Sequence, residues 1–290
     1  MPLPPDLPIV DHHAHLSPNG EGIDAARRFH SAGGTHLFLA TQNYEPKVPH
    51  TVADYERQFA ITENLARSIE RTTGVVVYVV IAPYPVDLVR QSEQLGLPGA
   101  MELQSRALEL AGRWVEEQRA VALGEVGRPH FPVSPALAEA AEGVFRHALE
   151  VARDVACPAV VHCEDLAAEG YRALAALAAT VEFPIQRLVK HYARTVVAVP
   201  ERLGIVPSYI ARKEVLSASA ADPGPWFLET DFLDDPARPG AVLDIATVPR
   251  RAAAILAADP GGQERLRIPF VDSVRSVYGF EPALPGEPAP

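Results

Sequence analysis

Short apolar runs rich in β-branched residues recur along the chain, separated by stretches of helical spacing. The runs lie near Pro8–His13, Thr35–Thr41, Val75–Pro83, Val121–Val126, Pro158–Cys163, Leu188–Tyr192, Gly204–Ile210 and Trp226–Phe232. Most are apolar throughout rather than alternating, as parallel strands covered on both faces must be. Gly204–Ile210 lacks a strong apolar run. The helical stretches are clearest at Val52–Arg71, Ala100–Gln118, Pro135–Val155 and Asp165–Thr180, and Ser134 followed by Pro135 is a helix-start signal. Eight strands alternating with helices predict an α/β fold of the (β/α)8 TIM-barrel type. The 290-residue length fits one barrel over residues 1–280, with no internal repeat. The proline-rich tail, residues 281–290, is predicted to be disordered.

The ends of the strands carry the chemistry. The first run ends in Asp11-His12-His13-Ala14-His15. On a regular strand, residues of one parity share a face, so Asp11, His13 and His15 are expected together and His12 away from them. Glu125 ends the fourth run, His162 the fifth, His191 the sixth, and Glu229 with Asp231 the eighth. Active sites of barrels lie at these C-terminal strand ends. Alone, such a histidine reads as a satisfied core residue, and Glu125 or Asp231 as a cap. Their joint placement at five strand ends points instead to a metal centre of His13, His15, Glu125, His162, His191 and Asp231.

Imidazole suits several divalent metals, and carboxylates cancel charge and can bridge ions. Two ions roughly 3.5–4 Å apart activate water and clamp substrate oxygens. The expected cofactors are therefore two divalent ions, Zn, Mn or Mg. Glu125 is the expected bridge, because its strand lies between those of the other candidates. Asp231 is expected beside the attacking water, as ligand, base or both.

These segments resemble the successive motifs of the TatD family of metal-dependent hydrolases, within the amidohydrolase superfamily. The resemblance runs from Val10 to about Asp231. It is closest to the archaeal-type TatD-related branch through Gly124-Glu125-Val126-Gly127-Arg128-Pro129-His130 and Glu229-Thr230-Asp231-Phe232-Leu233-Asp234-Asp235. It implies a barrel with His13, His15 and Asp231 at one ion, His162 and His191 at the other, and Glu125 between them. It also implies hydrolysis of phosphodiester bonds, as in deoxyribonucleases and 3′-to-5′ exonucleases. Nuclease-type members carry Gly-Leu-Asp after the glutamate and His-Cys-Phe-Ser-Gly on the sixth strand. This chain has Gly127-Arg128-Pro129 and His191-Tyr192-Ala193-Arg194 instead. Both departures lie beside the metal motifs, where substrate is read.

Three further residues are candidate substrate contacts: Arg128 and His130 past the fourth strand, and Arg194 past the sixth. Arg128 reads equally well as a loop arginine paired with a carboxylate. Lys190 precedes a candidate ligand, but parity turns it away from the site, so a carboxylated-lysine bridge is not expected. Cys163 reads as structural by the same argument. Asp234-Asp235 with Arg238 reads as a lid or as a solvated turn.

Composition narrows the substrate. The net charge of -11 and 7% aromatic content disfavour broad nucleic-acid binding. A strand end or a small molecule is the expected partner, and a small lactone, amide or phosphoester is the alternative substrate. A non-enzymatic metal-binding scaffold is the reading from another class. No apolar run is long enough for a membrane helix, the first eight residues carry no basic signal-peptide region, and two cysteines cannot form a disulfide framework. A cytoplasmic location is the expectation, with the oligomeric state open.

Overall fold

Every apolar run forms a strand, and each strand is parallel to its neighbours. The computed structural model describes residue 4 and residues 6–282, so the tail beyond 282 lies outside the described residues. In chain order the elements are β1 (Val10–His15), α1 (Ile23–Ser31), β2 (His36–Ala40), α2 (Val52–Thr73), β3 (Val76–Ile81) and α3 (Asp87–Glu116). There follow β4 (Ala122–Gly127), α4 (Pro135–Asp154), β5 (Ala159–His162), α5 (Ala168–Thr180), β6 (Leu188–Ala193) and β7 (Val206–Ile210). The chain ends with α6 (Lys213–Ala218), β8 (Phe227–Glu229), β9 (Phe232–Leu233), α7 (Thr247–Ala258), α8 (Gly262–Arg267) and α9 (Ser273–Tyr278).

The sheet runs β8-β7-β6-β5-β4-β3-β2-β1-β9 and curls into a TIM-type barrel. One segment closes it. β8 pairs with β7, and two residues later β9 pairs with β1, so residues 227–233 serve both edges. The seam is reinforced where Asp231 N donates to His13 O (2.9 Å) and Asp234 N to His15 O (3.0 Å).

Two apolar layers follow from the strand alternation. Leu37, Leu39, Ile81, Leu123 and Val161 face the helices and pack with Phe59, Trp114 and Phe145. Phe38, Val80, Ala122, Val160 and Val189 face inward and pack with Phe270, Val274 and Val277 from the C-terminal helical segment. That segment floors the barrel and leaves the opposite rim to polar residues. Helix signals read in the sequence act as expected: the Ser134 side chain accepts from Leu137 N (3.3 Å), with Pro135 in the first turn. α3 starts thirteen residues earlier than its amphipathic pattern suggests, because Gly96 (φ 69°) and Pro98 break the pattern part-way. Between β6 and β7 a 3₁₀ turn (Val199–Arg202) stands in place of a helix.

The sheet departs from regularity where the sequence places its ligands. Between Asp11 and Ala14, β1 spends three steps against two of β2, Leu37 to Leu39. β4 inserts Glu125 between Gly124 and Val126, which face successive residues of β5. β6 spends three steps from Lys190 to Ala193 against two of β7. An extra residue in one strand breaks alternation and re-aims the side chain at the bulge. His13, Glu125 and His191 each sit in such an irregularity.

Candidate metal centre

The six predicted ligands meet at the rim, in buried or nearly buried positions. Among the described residues, donor atoms of His13, His15 and Asp231 form one group close enough to hold an ion, and those of Glu125, His162 and His191 form another. Glu125 Oε1 joins them: it lies 3.4 Å from His13 Nε2, 3.2 Å from His162 Nδ1 and 2.6 Å from His191 Nε2. In the first group His13 Nε2 lies 3.2 Å from His15 Nε2, and Asp231 Oδ1 lies 3.6 Å from His15 Nε2. A third group, His13 with His191 and Glu229, shares two of these rings.

Partners behind the rings fix which nitrogen faces inward. His15 Nδ1 lies 3.3 Å from the Ala40 carbonyl, which only accepts, so Nε2 presents a lone pair to the site. His191 Nδ1 faces the Glu229 carboxylate at 3.3 Å, so Nε2 is the nitrogen turned toward Glu125. Glu229 also accepts from Tyr192 N (2.6 Å). Lone pairs aimed at carboxylates and at one another repel unless positive charge lies among them.

The proton affinities express the same demand. Burial opposes charge on His191, but Glu125 and Glu229 outweigh it and push its pKa up to about 10. Burial would raise Glu125, yet His162 and His191 hold it well below the usual carboxylate range. Burial, followed by neighbouring His13, lowers His15 to about 4, and burial lifts Asp231 well above the ordinary range despite His191. A divalent cation supplies the missing charge and needs no proton, so the donor set fits one.

Some expectations need correction. Asp11 does not join the rings: its carboxylate accepts from Thr230 N (3.0 Å) and Thr230 Oγ1 (2.7 Å), tying β1 to β8. His12 points away from the rings, as expected, toward the barrel floor, where it stacks on Phe227 and meets Ser208 Oγ and Tyr278 Oη. The placement of Asp11 goes with the register shift between Asp11 and Ala14, where the parity argument assumed regular alternation. Lys190 is buried outside the site, donating to the backbone carbonyls of Cys163 and His191. Arg128 is held by Glu164 (3.1 Å to Nε) and does not line the cavity above the rings. Asp234 is neither lid nor solvated turn. It is buried and accepts from the amides of Ser17, Glu21 and Gly22 at 2.7–2.9 Å, with Gly20 so close that a Cβ there would overlap it.

His130 and Arg194 do line the cavity, whose volume is about 920 Å³. His130 Nδ1 lies 2.9 Å from His162 Nε2. Arg194 is half-exposed beside Tyr192, with Asp165 accepting from its backbone amide at 2.9 Å. Sequence reasoning missed Tyr84, whose hydroxyl is 3.4 Å from His162 Nε2, and the role of Glu229 behind His191. Tyr84 stands three residues past β3, and a search for polar residues beyond every strand end would have found it. The backbone is strained at two of these ends: Tyr192 (φ 54°) and Asp231 (φ 49°) are both left-handed, as residues at functional sites often are.

The sequence profile of the family described as "TatD related DNase" matches residues 10–278. The chain belongs to the TatD-related DNase family. It is thus a metal-dependent hydrolase with a TIM-type barrel. An uncharacterised protein of Methanocaldococcus jannaschii, MJ1127, is 30% identical over 281 residues, 95% of this chain and 97% of that one. Two solved structures share the fold. A TatD-like protein from Archaeoglobus fulgidus has 16% identity and a TM-score of 0.62, covering 93% of this chain and 100% of its own. The TatD homologue YJJV from Escherichia coli has 15% identity and a TM-score of 0.63, covering 94% and 98%. No helix among the described residues is long and apolar enough to cross a membrane.

Proposed function

We propose that this TatD-family chain hydrolyses phosphodiester bonds at the end of a nucleic-acid strand, with two divalent ions (Zn, Mn or Mg) as cofactors. The observation that carries the reading is Glu125 Oε1, set within 3.4 Å of rings from both donor groups. His13, His15 and Asp231 would hold one ion, His162 and His191 the other, and Glu125 both. When bound, the pair supplies an acidified water and charge compensation for phosphate oxygens.

The chain's own groups do the rest. Asp231, whose carboxylate lies beside the rings of His13 and His15, would take the proton of the attacking water while it is ionised. Burial also raises Tyr84, so its hydroxyl keeps its hydrogen and can donate it to a phosphate oxygen in the cavity. Arg194 and Arg238 line the cavity as its basic side chains and would attract the anionic strand. Carboxylates are more numerous there, at Glu45, Glu164, Asp165 and Asp235. That balance favours a strand end over a long duplex, because extended binding requires many neutralised phosphates. It also favours the second reading, a small lactone, amide or phosphoester.

Turnover of single-stranded oligonucleotides with added Mn2+, Mg2+ or Zn2+, beside a panel of esters, lactones and amides, separates the two. Release of mononucleotides from the ends is expected. Intact oligonucleotides with clean turnover of a lactone or amide would overturn the phosphodiester reading.

A further inference from the structure

His15 and His191 are each oriented from behind, by the Ala40 carbonyl and by Glu229. Among the described residues, His162 meets neither a carbonyl nor a carboxylate at its far nitrogen. Its Nε2 instead meets His130 Nδ1 at 2.9 Å and Tyr84 Oη at 3.4 Å. Its Nδ1 points the other way, 3.2 Å from Glu125 Oε1 and 3.3 Å from His191 Nε2. We propose that His130 is a positioning residue, which accepts the Nε2 hydrogen of His162 and so keeps the Nδ1 lone pair directed at the metal centre. This role rests on the two-ion reading above.

The loop carrying His130 is built to present it. Gly127 (φ 131°) lies opposite His162 in the ladder, and a Cβ there would come within 2.2 Å of the His162 carbonyl oxygen. Arg128 N donates to that same carbonyl at 3.0 Å, and the Arg128 guanidinium grips Glu164, two residues past His162. The exit of β4 is thereby fastened to the exit of β5 on both sides of the ring. His130 then meets His162 edge to face, with ring centroids 5.0 Å apart and planes at 68°, while Phe131 abuts its other side. A neutral imidazole has one donor and one acceptor nitrogen, so an acceptor at His130 Nδ1 fixes the tautomer of His162. Partners of this kind orient the ring, and their removal typically costs about 10–100-fold in metal affinity.

The test is Zn2+ titration of the chelator-treated full chain against a competing chelator. Wild type, His130→Ala and His130→Asn are compared, with steady-state kinetics on the oligonucleotide substrate. Wild type is expected to take two ions. His130→Ala is expected to weaken one of them by about 10–100-fold and leave the other unchanged. His130→Asn, whose side-chain oxygen can accept the same hydrogen, is expected to recover most of the loss. The kinetic defect should fall on kcat at low metal and disappear at saturating Zn2+. Wild-type affinity for both ions in His130→Ala, with only KM raised, would make His130 a substrate contact and overturn the positioning role alone. Fewer than two ions in wild type would overturn the two-ion reading and this role with it.

Discussion

Two adjacent histidines on β1 occupy opposite surroundings. His12 lies toward the barrel floor, stacked on Phe227 with ring centroids 3.8 Å apart, and both its nitrogens meet hydroxyls, Ser208 at 3.1 Å and Tyr278 at 2.8 Å. His13 lies at the mouth, with its Nε2 3.2 Å from a second imidazole and 3.4 Å from Glu125. Both rings are fully buried. A hydroxyl can donate to one ring nitrogen and accept from the other, so His12 is satisfied while neutral, and burial pushes its pKa down to about 3. The Nε2 of His13 faces a second imidazole nitrogen and the carboxylates of Glu125 and Asp231, more acceptors than one N–H can serve. Burial does not make a histidine a metal ligand; unsatisfied company does.

The sharpest way to break the contrast is Glu125→Gln, which removes the carboxylate shared by both groups. Turnover should fall below detection with the fold intact by circular dichroism. Asp231→Asn comes next: kcat should fall roughly 10²–10⁴-fold through loss of the proton acceptor. Glu229→Gln removes the carboxylate behind His191 and leaves the six predicted ligands in place, so a smaller loss, about 10–100-fold in metal affinity, is expected on titration.

At the floor the pattern inverts. His12→Phe keeps the stacking on Phe227 but strands the Ser208 and Tyr278 hydroxyls, at a cost of about 1–3 kcal/mol in denaturant unfolding. Its turnover per folded molecule should match wild type. An effect read through pH rather than through turnover is expected at Asp87, at the start of α3, where Asn43 donates to both carboxylate oxygens. Burial outweighs that hydrogen bond and raises its pKa from 3.8 to about 7. The folded state therefore favours the protonated acid, and its contribution is complete below about pH 4 and lost as pH rises through 7. Asp87→Asn, permanently neutral, should gain stability relative to wild type across that window. Parallel melting curves at pH 4 and pH 8 would show it.

The barrel was legible in the sequence because buried parallel strands leave continuous apolar runs, and the ligands were legible because they stand where those runs stop. What parity could not reveal was the irregular backbone at His13, Glu125 and His191. An inserted residue leaves no mark in a pattern of residue types, yet beside it Asp11 turns to the seam instead of joining His13 and His15. Asp234 read as a surface acid because its partners are backbone amides more than two hundred residues away in sequence. Arg128 offered two readings, and the contact with Glu164 selects the pairing. Helices α1, α6, α8 and α9 leave little periodic mark in the sequence, because each spans nine residues or fewer.

On the two-ion reading proposed above, the mouth would take two ions and the floor none. Metal content per chain, measured by mass spectrometry after equilibration with Zn2+ and desalting, tests it most directly in wild type, His12→Phe and His191→Ala. Two ions are predicted in wild type and His12→Phe, and no more than one in His191→Ala. One ion or none in wild type, or a loss in His12→Phe that His191→Ala does not share, would contradict it.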